Sequence, residues 1–89
     1  MQTCILDGSL LYEPTAVYRR LGEAFGFPAY FGNNPDALWD ALGDYAGEPI
    51  RVVWRDAARS AQLLGPQFAA IVGVLEKAAE RGVLKLELS

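Results

Sequence analysis

Three short runs of aliphatic, β-branched and aromatic residues constrain this chain more than any other feature: QTCIL at 2–6, IRVVW at 50–54 and VLKLEL at 83–88. Segments with helical hydrophobic spacing separate them. Parallel neighbours need a crossover of about a dozen residues or more, and both gaps exceed that length. The expected fold class is therefore α/β, with three parallel strands and four helices in the order β-α-α-β-α-α-β and right-handed crossovers. Strand order does not follow from the sequence. Eighty-nine residues supply one modest core, so residues 1–89 are expected to form a single domain.

The helical segments can be bounded from their punctuation. Pro14 to Phe25 places Val17, Tyr18, Leu21, Ala24 and Phe25 on one face, with Gly26 as a stop and Pro28 soon after. A second helix should run from Pro35 to about Leu42 and stop at Gly43. A brief helix is expected over 56–64. The longest should span Pro66 to Arg81, with Phe68, Ile71, Val72, Leu75, Ala78 and Ala79 facing inward and Gly82 at its end. In the last strand Leu84, Leu86 and Leu88 alternate with Lys85 and Glu87, which predicts an apolar inner face.

Composition narrows the function. The chain is 52% hydrophobic and 21% charged, a balance that suits a globular protein rather than a disordered one. No apolar run reaches the length of a membrane span, and the N-terminus lacks the pattern of a secretory signal. A lone cysteine, Cys4, rules out an internal disulfide; a buried structural thiol and a cytoplasmic location are expected. Histidine is absent, which removes the commonest general base and metal ligand. A net charge of −3 disfavours nucleic acid and anionic membranes as partners. Between Leu21 and Ile50 there is no lysine or arginine, while Glu23, Asp36, Asp40, Asp44 and Glu48 all fall inside. Such a field steers cationic partners toward it.

The centre of that window is YFGNNPDALWD, Tyr30 to Asp40. Asn34 is a good N-cap and Pro35 is favoured at the first helical position. From that start, Leu38, Ala41 and Leu42 share the core side. Asp36 and Asp40 point away from it, and Trp39 lies at the margin. Taken singly, the acids read as a solvated face, Trp39 as a core edge, and Tyr30 and Phe31 as loop anchors. Together, aromatic residues around exposed charge are what interface centres look like.

This segment closely resembles the barstar family, intracellular protein inhibitors of secreted guanyl-specific ribonucleases. The family pattern is an aromatic pair, Gly, one variable residue, Asn, one variable residue, then Asp-Ala-Leu-Trp-Asp. Further matching positions span the chain, among them Asp7–Gly8, Pro28, Pro49, Trp54–Arg55, Ser60, Gln62, Gly82 and Leu88–Ser89. The family's fold, three parallel strands with four helices, agrees with the reading above. The resemblance implies a 1:1 complex in which this helix and the loop before it plug a ribonuclease active site, without chemistry, cofactor, metal or small-molecule substrate. Asp40 would imitate an RNA phosphate and Asp36 would meet a second basic group. Tyr30 would pack at the enzyme's rim, Gly32 and Asn34 would give close backbone approach and hydrogen bonds, and Trp39 would shape the surface, with Phe31 and Asn33 also in the partner-binding set. Pro35, Gly43 and Tyr45 complete the expected partner-binding set on this segment.

The sequence also departs from the family. Pro35 stands where an aliphatic residue is common, and Tyr45 where a tryptophan stands. The family's further acidic contact on the last helix aligns with Lys77; either Glu76 or Glu80 replaces it or the contact is absent, and Glu76 joins the expected partner-binding set. Two other readings stay open: a barstar-like binding module for a different basic protein, without ribonuclease inhibition, and an enzyme using Asp36 and Asp40. The second is disfavoured, because two exposed carboxylates without a histidine make a poor catalytic or metal site.

Overall fold

A computed structural model describes residues 2–28, 32–45 and 47–89, the Tyr45 side chain apart. Its elements run β1 (Thr3–Asp7), α1 (Pro14–Phe25), α2 (Pro35–Tyr45), β2 (Ile50–Arg55), α3 (Ala57–Leu64), α4 (Pro66–Glu80) and β3 (Leu84–Leu88). Both strand pairs are parallel, as the long crossovers permit, and the strand order is β1-β2-β3.

Register explains which residues are inside. Cys4 lies opposite Val52 and Leu6 opposite Trp54, and all four are fully buried on one face of the sheet. Successive side chains alternate faces, so Thr3, Ile5, Arg51, Arg55, Lys85 and Glu87 lie on the other face, which stays exposed. Arg51 and Glu87 form an ion pair there at 2.6 Å. Val17, Tyr18 and Leu21 of α1, Leu38 and Leu42 of α2, Leu64 of α3, and Ile71, Leu75 and Ala78 of α4 complete the buried core. Helix α4 joins the layers, packing on α2, α3 and β3. Burial of Cys4 pushes its thiol pKa up and favours the neutral form.

Most boundaries follow from the local chemistry. Helix α1 starts with proline in its first turn and ends at Gly26, whose φ of 74° is left-handed and whose N–H reaches the Gly22 carbonyl. Helix α4 ends in a Schellman arrangement: Val83 N–H donates to Ala78 O, and Gly82 N–H to Ala79 O, both at 3.0 Å. That motif makes Arg81 the C-cap.

Two expectations need correction. Helix α2 does not stop at Gly43 but continues to Tyr45. Gly43 is absent from the left-handed residues. Glycine only lowers helix propensity by about 1 kcal/mol, which the packing of Leu38, Ala41 and Leu42 overrides. The alternation in β3 also decays outward: Leu84 is buried, Leu86 half-buried and Leu88 48% exposed. Leu86 and Leu88 line an open depression at the edge of the sheet, beside Glu76, Ala79 and Glu80 of α4.

The C-terminal end of the sheet is tied by a compact network. Gly8 N–H donates to Arg55 O, Ser89 N–H to Trp54 O, and Ala57 N–H to Ser89 O. Asp56, with φ of 52°, turns the chain from β2 into α3. Aspartate tolerates this left-handed conformation better than most residues. Among the described residues, no helix is long and apolar enough to cross a membrane.

Candidate functional site

Helix α2 is built to show its acids. Asn34 Oδ1 accepts the Ala37 N–H at 2.8 Å, the capping bond expected from its position. This start sets the rotation: Leu38, Ala41 and Leu42 are buried, while Asp36 and Asp40 are exposed. Asp36 also complements the positive end of the helix dipole. Continuation past Gly43 places exposed Asp44 one turn beyond Asp40. A helix stopping at Gly43 would leave Asp44 outside it, so local sequence carries no signal that this acid joins the exposed row.

Trp39 occupies the margin, partly buried against the core. The Arg81 guanidinium lies over its ring, 5.0 Å from the centroid, a cation–π contact. On one side of this pair is a groove of about 510 Å³ between α2 and α4. Pro35, Asp36 and Trp39 form one wall; Val74, Lys77 and Glu80 form the other, with Arg81 at the end. On the other side is a depression of about 340 Å³ bordered by Asp40, Gly43 and Asp44, again with Arg81.

This arrangement changes the charge picture. The window from Leu21 to Ile50 has no positive residue in sequence, yet in space α4 brings Lys77 and its C-cap Arg81 against it. Sequence spacing carries no signal for that contact, since it depends on how α4 crosses α2. Among the described residues, neither Lys77 nor Arg81 makes an ion pair.

The other expected site residues divide. Gly32 and Asn34 sit at the helix entrance, where Asn34 N–H donates to Gly32 O at 3.0 Å. A Cβ at Gly32 would come within 3.3 Å of Ala37 Cβ, so the loop fits closely over the first turn. Asn33 is exposed and borders a separate depression against α1, with Arg19 and Phe27. Glu80, not Glu76, shares the groove with Asp36; Glu76 lies in the depression beside Leu86 and Leu88. Tyr30, Phe31 and the Tyr45 side chain lie outside the described residues. The described residues contain no group of three or more acidic, cysteine or histidine side chains able to hold a metal ion.

Fold and surface together describe a small α/β protein that displays an acidic helix beside an open groove. The model of the family described as "Barstar (barnase inhibitor)" matches residues 1–87. A Bacillus subtilis (strain 168) protein named "Putative ribonuclease inhibitor YrdF" is 30% identical over 80 residues, covering 90% of this chain and 88% of that protein. The chain belongs to the barstar family.

Proposed function

We propose that this protein is an intracellular inhibitor of a secreted bacterial guanyl-specific ribonuclease, binding it 1:1 and closing its active site with α2 and the loop before it. The observation that carries this reading is the rotation of α2. Its apolar face is buried in the core, and Asp36 and Asp40 stand exposed. Membership of the barstar family supports a ribonuclease-inhibitor role. The name of the B. subtilis relative agrees with it.

The physical logic is complementary charge and shape. A ribonuclease active site must present converging positive charge to hold an RNA backbone. A rigid helix bearing carboxylates can occupy that site without chemistry, Asp40 standing in for a phosphate and Asp36 meeting a neighbouring cation. Opposite fields accelerate encounter, and salt screens them. Inhibition is then competitive with RNA.

The test is inhibition of a panel of secreted guanyl-specific ribonucleases at two salt concentrations. Tight competitive inhibition of at least one, with association slowed by salt, is the expected result. Binding to another basic protein while every ribonuclease in the panel stays active would overturn the proposal.

A further inference from the structure

The docking surface is mixed in sign, and the geometry points to a specific demand on the partner. We propose that Lys77 and Arg81 form a carboxylate-binding subsite within it, so that the partner ribonuclease sets an acidic side chain into the α2–α4 groove. This rests on the inhibitor reading and deepens it.

Arg81 is held in place before any partner arrives. The Schellman turn after α4 fixes its backbone, and Trp39 supports the guanidinium at 5.0 Å. The cation–π contact engages the guanidinium through Trp39, and its N–H groups make no ion pair among the described residues, which leaves them for a planar acceptor such as a carboxylate. Lys77 lies in the last turn of the same helix, where the dipole favours positive charge. Both side chains are exposed and border the same groove of about 510 Å³, and neither makes an ion pair among the described residues. Trp39 and Val74 add apolar wall for the stem of an incoming Glu or Asp.

Asp36 and Glu80 line the same groove and can meet a partner cation, but a partner that offered only positive charge would still set like charges against Lys77 and Arg81, which discriminates against it. The subsite therefore acts in specificity: Asp36 and Asp40 select a basic cleft, and the α4 cations select a cleft with an acid on its rim. The rival role for Arg81 is to neutralise nearby acids in the free protein. Removing the charge would then tighten binding to a basic cleft, the opposite outcome.

The test uses the ribonuclease that the wild-type protein inhibits most tightly among secreted guanyl-specific enzymes. Inhibition constants are measured for Arg81→Glu, Arg81→Lys, Lys77→Glu and Asp40→Ala, with thermal unfolding to check folding. Arg81→Glu and Lys77→Glu are each expected to weaken inhibition tenfold or more, and Arg81→Lys less, because it keeps charge but loses the planar fork. Reversing the facing acid on the enzyme to lysine should restore inhibition by Arg81→Glu. If Arg81→Glu fails to fold, Arg81→Gln replaces it under the same criterion. Unchanged or tighter inhibition by the Arg81 and Lys77 variants, with Asp40→Ala weakened, overturns the subsite and leaves the inhibitor reading standing. A wild-type protein that inhibits none of these enzymes overturns the inhibitor reading and the subsite with it, whereas equal inhibition by Asp40→Ala removes only the phosphate-mimic assignment.

Discussion

The Trp54 indole Nε1–H donates a 2.8 Å hydrogen bond to Ser60 Oγ in the buried interior. Both residues are fully buried. Trp54 lies in β2 beneath the helices and Ser60 in α3, so this bond joins sheet to helix. Phe68 of α4 meets the same indole edge-on, with ring centroids 5.1 Å apart.

Ser60→Ala removes the only described acceptor for that indole and leaves a buried donor without a partner. The expected loss is about 1–3 kcal/mol. In a chain of this size, each kcal/mol lowers Tm by roughly 4–8 °C. Urea unfolding followed by tryptophan fluorescence measures it. A variant as stable as wild type would show that the hydroxyl has no structural part.

Two glycines should respond in opposite directions. A Cβ on Gly8 would overlap the Asp56 carbonyl oxygen and lie 2.5 Å from both Arg55 O and Ser60 Oγ. Backbone atoms cannot swing aside, so Gly8→Ala should cost about 1–3 kcal/mol or more, as overpacking does. Gly43 lies inside α2 with nothing within 4 Å of an added Cβ. Gly43→Ala should therefore raise stability by about 0.5–1 kcal/mol through backbone entropy and propensity. Thermal unfolding of the two variants side by side is the measurement.

Acid and alkaline limbs have separate origins. Asp7 accepts hydrogen bonds from the Ser9 hydroxyl at 2.6 Å and the Ser9 N–H at 3.0 Å, which hold its pKa below the ordinary value. A depressed carboxyl pKa stabilises the fold above the unfolded value, and that contribution disappears as pH falls through the folded one. Ser9→Ala should raise the Asp7 pKa, as read by NMR titration. Cys4 is the reverse case, its pKa raised by burial. Its contribution is present below the unfolded thiol value, about 8.5, and is lost as pH rises toward the folded one. Thiol alkylation at pH 8 should proceed only after denaturant is added.

Asp40→Ala should leave Tm unchanged, because the side chain is exposed and makes no described hydrogen bond or ion pair. Affinity for the cognate ribonuclease should fall by about 2–5 kcal/mol or more, the scale for truncating one partner of a buried charge pair; the barnase–barstar complex of this same family is among the examples behind that scale. Asp36→Ala should cost less, since Asp36 sits at the helix start beside the groove. Calorimetry on each variant decides this, and equal affinity for Asp40→Ala and wild type would remove the phosphate-mimic assignment.

Local chemistry was sufficient for much of this protein. The long helical spacers between short apolar runs favoured parallel pairing, because a parallel connection needs length. Asn34 and Pro35 determined where α2 begins and hence which way Asp36 and Asp40 turn, because capping and helical period act within a few residues. Tertiary structure alone decided the strand order, the passage of α2 through Gly43, and the outward drift of Leu86 and Leu88, since each depends on what lies beside the segment. It also decided the sign of the site. Arg81 and Trp39 are far apart in sequence and meet only because α4 crosses α2 and its Schellman turn aims the cap residue there. Periodicity reports which way a side chain faces; only packing reports whose charge it will stand beside.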